Sequence, residues 1–146
     1  MWRIRVGDLL TRAEISHEYG GGTQGGIQPS RRTPNVFLFS DPIKSVENGY
    51  DYDGWNHDLS EYSYTGEGRI GNQVLSRGNG AVQQHVSDGR ALRLFHSVGY
   101  VTETSTRLHE YVGAFEIDVR RPYEFRRGLD IQGQERDVVV FRLRPV

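Results

Sequence analysis

A stretch of aromatic rings, carboxylates and glycines lies between Glu47 and Arg69. Its twenty-three residues, ENGYDYDGWNHDLSEYSYTGEGR, include four Tyr, one Trp, three Asp, three Glu and four Gly. A buried strand would carry fewer polar side chains, and a disordered linker would avoid aromatic rings. Rings can stack on a planar ligand, a carboxylate can accept hydrogen bonds from an amine, and glycine allows the backbone to come close. The composition therefore favours a pocket for a flat, polar ligand such as an extruded nucleobase.

The tyrosines of this stretch also have a purely structural interpretation. Tyr50, Tyr52, Tyr62 and Tyr64 alternate along two strand candidates, and such residues commonly pack one face of a sheet. Residue types alone leave both interpretations open.

Catalytic and metal-binding patterns are weak in this sequence. The five histidines do not follow a metal-ligand spacing, the chain has no cysteine, and no Ser lies in a G-x-S-x-G elbow. We therefore predict a protein that is not an enzyme and needs no cofactor or metal. The alternative is a nuclease or hydrolase acting on modified bases through Asp51, Asp53 and His57.

Composition and charge describe a chain that is not basic overall. Its 146 residues carry a net charge of −1, with 25% charged and 36% hydrophobic residues. We expect one domain over residues 1–146. There is no apolar run of about eighteen residues to span a membrane, and the N-terminus is too broken by Arg and Asp for a signal peptide. The missing cysteines fit a reducing cytoplasm, and we expect a cytoplasmic location.

The periodicity of the chain predicts strands and few helices. A helix is expected over VGDLLTRAEISHEYG and a second one from about Asn79 to His85, with a glycine-rich loop, GGGTQGG, between the first helix and the first strand. The predicted strands are Asn35–Ser40, a pair flanking a loop around Asp53–Leu59, Ala91–Val98, Tyr111–Val119 and Arg136–Arg144. Such patterns suit a small, curved, mostly antiparallel α+β barrel.

Four motifs follow one another along the chain: Gly49-Tyr50-Asp51-Tyr52-Asp53, Tyr64-Thr65-Gly66-Glu67-Gly68, Asn72-Gln73-Val74-Leu75 and Gly78-Asn79-Gly80-Ala81. In this order they resemble the motifs of the SRA (SET- and RING-associated) domain. Upstream, Gly25–Ile27 looks like the family's Gly-Ile loop, and YVGAFEIDV and VVVFRLRP look like its closing strands. The likeness covers nearly the whole chain and is strongest to bacterial SRA-like domains of modification-dependent HNH restriction proteins.

This resemblance implies a PUA-like, SRA-like curved β-barrel with short flanking helices. It implies a non-catalytic reader of double-stranded DNA that binds 5-methylcytosine by base flipping, in a bacterial, nucleoid-associated setting. An HNH nuclease acting in trans is an implied partner, and neither a membrane nor a small-molecule ligand is expected. An RNA-binding PUA-type module stays open as an alternative.

Roles in the pocket follow from the resemblance by position. Tyr50 and Tyr64 would stack on the two faces of the flipped base, and Asp53 would bond its Watson–Crick edge. The Thr65 backbone would complete that edge. Gly49 and the turn at Glu67 would lie near the methyl group.

Four further residues are candidates for DNA contact. Gln24 corresponds roughly to the residue that fills the place of the flipped base, and Arg31, Arg32 and Arg69 could contact phosphates beside the pocket. Each could equally be a solvated surface residue. The Arg120–Arg127 cluster is interpreted as a solvated face.

Two positions depart from the family pattern. Tyr52 stands where the family often has a second acid, and the segment from Gly68 to Asn72 is shorter than in eukaryotic SRA domains, which insert a finger there. The resemblance therefore does not imply a preference for hemimethylated CpG sites.

Overall fold

A computed structural model describes residues 1–41 and 52–146 of the chain. The residues described form nine strands and two helices. In chain order the elements are β1 (Leu9–Leu10), α1 (Arg12–Tyr19), β2 (Ile27–Pro29), β3 (Asn35–Ser40), β4 (Gly54–Trp55), β5 (Tyr62–Thr65), α2 (Arg77–Gln83), β6 (Ala91–Tyr100), β7 (Arg107–Ile117), β8 (Tyr123–Leu129) and β9 (Glu135–Pro145).

The strands form one sheet with the order β2-β3-β6-β7-β9-β5-β4, to which β1 adds on β7 and β8 on β9. Only β3 and β6 pair in parallel; the other pairs of the described strands are antiparallel. The strand order has two ends, at β2 and β4, so these strands form a curved but open sheet and do not close the barrel that the sequence predicted.

Two apolar clusters stabilise the sheet. The larger one lies under α2 and includes side chains from β3, β5, β6 and β9. The smaller one packs α1 against β3, β6 and β7. Within it the rings of Trp2 and Tyr19 are tilted against each other, with 4.5 Å between their centroids.

The first helix is shorter than predicted. Leu9 and Leu10 pair with β7 instead of starting a helix. The helix begins after Thr11, whose side chain accepts a hydrogen bond from the backbone of Glu14 at 3.2 Å. The Glu14 carboxylate accepts one from the Thr11 N–H at 3.0 Å. This reciprocal capping box fixes the helix start.

The second helix lies two residues earlier than predicted, and His85 follows it as a buried residue. The two ring nitrogens of His85 are bonded to the carbonyl of Arg90, at 2.8 Å, and to the N–H of Ile117, at 3.1 Å. His85 therefore joins α2 to β7.

The predicted strands 35–40, 62–64, 91–98 and 136–144 lie on observed strands, and 111–119 extends two residues beyond β7. The predicted loop around Asp53–Leu59 is wrong at its start, because Gly54–Trp55 pairs with β5 as β4. The sequence did not predict β8, whose exposed Arg126 and Arg127 interrupt the apolar pattern. Trp55 packs against Tyr62 and Phe115 but stays 38% exposed. No helix among residues 1–41 and 52–146 is long and apolar enough to cross a membrane.

Candidate nucleic-acid-binding pocket

A cavity of about 590 Å³ opens beside β5, between the glycine-rich loop after α1 and the start of α2. Its described lining residues come from the motifs singled out in the sequence and from their neighbours. They are Gly25, Gly26, Phe39, Asp53, Tyr64, Thr65, Gly66, Glu67, Gly68, Arg69, Asn72, Gln73, Val74, Ser76, Arg77 and Asn79. Cavities of this size hold small organic groups. The structure brings five of the ten predicted site residues together here: Asp53, Tyr64, Thr65, Glu67 and Arg69.

Asp53 supplies a fixed carboxyl group to this cavity. One oxygen accepts a hydrogen bond from the Thr65 N–H at 2.6 Å, and the other accepts one from the Ser40 hydroxyl at 2.8 Å. The residue is partly exposed, but its carboxyl group is largely desolvated, and this burial raises the pKa of Asp53. The hydrogen bonds from Thr65 and Ser40 offset part of that rise.

A second layer of hydrogen bonds orients Asp53. The Tyr62 hydroxyl donates to Ser40 Oγ at 3.2 Å, and Ser40 donates onward to the carboxyl. Burial raises the pKa of Tyr62 to about 12, so Tyr62 stays a neutral donor. The carboxyl therefore keeps its direction without a bound ligand.

Tyr64 forms one wall of the cavity from within the core. The residue is 2% exposed and belongs to the larger apolar cluster. Its hydroxyl lies 3.1 Å from the carbonyl oxygen of Gly26 and 3.0 Å from that of Phe39, and donates to them. Burial raises the pKa of Tyr64 well above its ordinary value. The two interpretations of this tyrosine are therefore compatible, since it packs the core and also lines the cavity; stacking on a base stays a prediction.

The loop after β5 is fastened by a buried amide, Gln73. Its Nε2 donates to the Gly66 carbonyl at 2.8 Å, and its Oε1 accepts from the Val139 N–H at 3.0 Å. The Gly66 N–H donates to the Val139 carbonyl at 2.8 Å. A Cβ on Gly66 would overlap the side chains of Val139 and Asn79, so the motif requires glycine here.

A second buried amide, Asn79, fastens the next residue of the loop. Its Oδ1 accepts from the Glu67 N–H at 2.8 Å, and its Nδ2 donates to the carbonyls of Glu67 and Val74 at 2.9 and 3.0 Å. Asn79 is 2% exposed. The Asn79 side chain thus holds the loop that follows Tyr64, which explains why the two motifs occur together.

Glu67 joins the loop to α2 and β2. Its carboxylate accepts hydrogen bonds from the backbone N–H groups of Gly78 and Ile27. Burial raises the pKa of Glu67, while these bonds and the nearby Arg77 charge lower it. The structure gives this side chain a structural role at the cavity wall, and contact with a methyl group stays a prediction.

Family membership follows from a match over almost the whole chain. The model of the ScoMcrA-like SRA domain matches residues 6–146. The chain belongs to this SRA domain family. The resemblance drawn from the four motifs is thereby confirmed. No relative was found among curated proteins.

Solved structures show the same fold. This SRA domain superposes with a TM-score of 0.71 and 27% identity on the sulfur binding domain and SRA domain of ScoMcrA complexed with phosphorothioated DNA, over 99% of this chain and 40% of that one. The Type IV phosphorothioation-dependent restriction endonuclease ScoMcrA gives the same TM-score and identity, over 99% of this chain and 28% of that one. The complex of the SUVH5 SRA domain with hemi-methylated CG DNA gives a TM-score of 0.58 and 19% identity, over 98% of this chain and 89% of that one. The chain thus spans less than half of either ScoMcrA chain, and the SRA fold class is confirmed.

Two arginines of this SRA domain stand at the cavity. Arg69 was predicted from the sequence, whereas Arg77 was not; both are exposed and line the opening. Arg77 has a φ of +50°, a left-handed conformation that is uncommon for a residue with a side chain. Its only sequence signal is its place directly before the Gly78–Ala81 motif. Neither arginine forms an ion pair with the described residues.

The other predicted contact residues lie outside the cavity lining. Gln24 belongs to the glycine-rich loop, and its carbonyl accepts a hydrogen bond from Gln28. Arg31 is exposed. Arg32 donates to the carbonyls of Ser16 and His17, both at 2.7 Å, and so caps the end of α1. The structure therefore gives Arg32 a structural role.

Gly49, Tyr50 and Asp51 lie outside the described residues, so the structure says nothing of the predicted second stacking ring. His57, named for the catalytic alternative, is exposed. Among residues 1–41 and 52–146 no group of three or more His, Asp or Glu side chains could hold a metal ion.

The basic cluster at 120–127 is largely neutralised. Arg121 pairs with Glu61 at 3.2 Å, Arg126 with Glu124 at 2.5 Å and Arg127 with Asp137 at 2.9 Å. The remaining acid of this face, Glu135, lies 3.4 Å from Arg127. The side chains of Arg120, Arg121, Arg126 and Arg127 are exposed, as interpreted. The cluster is not remote from the cavity, however, because the N–H of Asp137, the partner of Arg127, donates to Asn72 of the cavity lining at 2.8 Å.

Proposed function

We propose that this SRA domain is a non-catalytic reader of modified double-stranded DNA, and that it holds 5-methylcytosine flipped into the cavity at Asp53. The observation that carries the proposal is a desolvated carboxyl group, fixed by Thr65 and Ser40, in the wall of a cavity of about 590 Å³. A surface without base recognition would not need a buried acid.

The chemistry of cytosine suits this carboxyl group. Its exocyclic amine is a donor, and each carboxylate oxygen can accept more than the one hydrogen bond that Asp53 receives there from the protein. The Tyr64 ring, and Tyr50 by position, would supply stacking, which is worth about 1–3 kcal/mol per base. Gly49, Thr65 and Glu67 would complete the contacts to the edge and the methyl group.

DNA as the partner is supported by the family. The ScoMcrA complex contains phosphorothioated DNA and the SUVH5 complex contains hemi-methylated CG DNA. A phosphorothioate changes the backbone, whereas the cavity here is a recess suited to a base, so we propose a modified base. Cleavage would come from a nuclease partner, of the HNH type that the resemblance implies, and the reader would act in the bacterial cytoplasm at the nucleoid.

The test is a binding series on duplexes of one sequence. Unmodified, hemimethylated, fully methylated and phosphorothioated duplexes are titrated under the same conditions, with and without Mg²⁺. We expect tighter binding to both methylated duplexes and no cleavage. Equal affinity for methylated and unmodified DNA would contradict the proposal, and protein-dependent cleavage would identify an enzyme. Tighter binding to the phosphorothioated duplex than to the methylated ones would mean that the domain recognises the modified DNA backbone and not a base.

Binding is expected to depend on pH through Asp53. Cytosine presents a donor, N4–H, beside an acceptor, N3, and a protonated carboxyl group can satisfy both. Burial raises the pKa of Asp53, which favours the protonated form, so affinity should fall as pH rises above that pKa. For one proton the limit is about tenfold per pH unit.

Two substitutions separate Asp53 from other acids in this pH experiment. Asp53→Asn keeps a neutral donor and acceptor and should flatten the profile measured between pH 5.5 and 8.5. Glu67→Gln removes the other cavity carboxyl group whose pKa is raised. It should leave the slope of affinity against pH unchanged. If wild type and Asp53→Asn share one profile, Asp53 does not carry the proton.

Salt dependence measures the phosphate contacts. Arg31, Arg69 and Arg77 are exposed and lack ion pairs with the described residues, so about three contacts should give a slope of log affinity against log salt near −3. Arg77→Ala should make the slope shallower by about 1, whereas Arg126→Ala should not change it. A slope steeper than about −7 would require a much larger basic footprint.

A further inference from the structure

The glycine-rich wall of the cavity forms few hydrogen bonds within its own backbone. This loop, Gly20–Gly26, contributes Gly25 and Gly26 to the cavity lining. Among the described residues its backbone bonds to other backbone groups only at its two ends, through the Gly20 N–H and the Gly26 carbonyl. Glycine loses more conformational freedom than other residues when it is fixed. Side chains from outside the loop must therefore hold it in one shape.

Arg12, the first residue of α1, supplies two of the bonds that do so. One of its terminal nitrogens donates to the carbonyl of Gly25 at 2.9 Å and to that of Gly22 at 3.4 Å. Its guanidinium group lies over the ring of Phe39, 3.6 Å from the centroid, and Phe39 also lines the cavity. Arg12 thus ties two segments of the cavity wall together, although its own side chain is not part of the lining.

Tyr64 contacts the same two segments from within the cavity lining. Its hydroxyl lies 3.1 Å from the carbonyl oxygen of Gly26 and 3.0 Å from that of Phe39. Gly26 follows Gly25 directly, so Arg12 and Tyr64 hold adjoining parts of one wall. A base stacked on Tyr64 would therefore meet a wall whose position also depends on Arg12.

Holding Arg12 in this place is costly for stability. Burial lowers the pKa of Arg12 to about 10, and its Nε is buried without a hydrogen-bond partner among the described residues. No carboxylate in the described part of the chain forms an ion pair with it. Desolvating a charged group without such a partner costs free energy, whereas a methionine could pack on Phe39 without that cost. An apolar side chain would therefore serve a purely structural role better.

We propose that Arg12 is a positioning residue for base recognition, which holds the glycine-rich loop against Phe39 so that the wall facing the base is formed before DNA binds. The inference rests on the proposed function and adds α1 to the elements on which that function depends. Without Arg12 the loop would have to be ordered as the base enters, and this cost would lower the affinity for DNA whose base is flipped.

Arg12→Met tests this role, and Arg93→Met is the matched control. Arg93 also lies over an aromatic ring, 4.1 Å from the centroid of Trp2. It donates to Asn35 and to Tyr111, both at 3.0 Å, and none of these partners lines the cavity. Both variants remove one positive charge, so both should weaken binding to an unmodified duplex to a similar extent.

Arg12→Met should lower the ratio of affinities for methylated and unmodified duplexes about tenfold, which corresponds to fixing about one more residue of backbone on binding. Its melting temperature should equal or exceed that of the wild type, because a costly buried charge is removed. In the free protein the NMR order parameters of the Gly25 and Gly26 amides should fall from about 0.85 to below about 0.6. Arg93→Met should leave the affinity ratio and these order parameters unchanged.

Arg12→Lys keeps the charge and can donate to one of the loop carbonyls, but it lacks the planar fork. It should therefore give an affinity ratio between those of the wild type and Arg12→Met, and it replaces Arg12→Met in the comparison if that variant does not fold.

Order parameters that stay at the wild-type values in folded Arg12→Met would overturn the role of Arg12, as would a loosened loop with an unchanged affinity ratio. A lower melting temperature with an unchanged ratio would make Arg12 a structural residue. A wild type that binds methylated and unmodified duplexes equally would instead overturn the proposed function, while the order parameters would still show whether Arg12 holds the loop.

Discussion

Replacing Asp53 with Ala is expected to lower the affinity for a methylated duplex about ten- to a hundredfold, because an unpaired polar edge of a buried base costs about 1–3 kcal/mol. Affinity for an unmodified duplex should change little, since phosphate contacts do not involve this residue. The measurement is fluorescence anisotropy on both duplexes, with the melting temperature recorded to show that the variant is folded.

Asp88→Ala is the charge-matched control for this substitution. Asp88 is exposed in the turn after α2, and its removal changes the net charge by the same amount as the loss of an ionised Asp53. If removing one negative charge strengthens binding by lowering the repulsion from DNA, Asp88→Ala will show that gain without the loss of Asp53. An unchanged dissociation constant in folded Asp53→Ala would remove Asp53 from the recognition site.

Asn79→Ala should have the largest effect on stability. Its side chain makes three hydrogen bonds, to both backbone groups of Glu67 and to the Val74 carbonyl. Each buried group left without a partner costs about 1–3 kcal/mol. Water entering from the cavity can satisfy part of this loss, so we expect the free energy of unfolding to fall by about 2–4 kcal/mol.

The substitution should also reduce methyl-specific binding, because Asn79 positions the loop between Thr65 and Gly68. Urea denaturation measures the first effect and anisotropy the second. Gln132→Ala, an amide-to-alanine change in an exposed turn, should leave both unchanged. A stability loss below about 0.5 kcal/mol, the size of an ordinary surface substitution, would mean that these hydrogen bonds do not hold the loop.

The location of the site could be predicted from the sequence, but the division of labour within it could not. Motif order located Asp53, Tyr64 and Glu67 at one cavity. Gln73 and Asn79 hold the loop in place. Part of this role depends on bonds to residues far away in sequence, such as the hydrogen bond from the Val139 N–H to Gln73. A motif match gives the positions of these amides without their partners.

Arg77 was missed for a related reason. Its side-chain type alone makes it an ordinary surface residue. Its significance comes from tertiary placement, because it adopts a left-handed backbone conformation at the cavity. This placement leaves no periodic signal in the sequence.

The errors in the fold have local causes as well. The segment Leu9–Leu10 fits an amphipathic helix by pattern, but pairing with β7 outweighs that preference. The charged strand β8 lacks apolar alternation because it pairs through its backbone with β9 and carries ion pairs on its exposed face. Strands with a buried apolar face, such as β3 and β6, were predicted close to their observed bounds.

The most direct test of the account is whether the methylated cytosine leaves the helix. A fluorescent base analogue placed opposite 5-methylcytosine is quenched by its paired and stacked surroundings and should brighten when its partner is extruded. We expect brightening that saturates with the binding curve on the methylated duplex and is much weaker on the unmodified one. An analogue that stays dark while the methylated duplex is fully bound would contradict the account, because the modified base would then be read inside the groove.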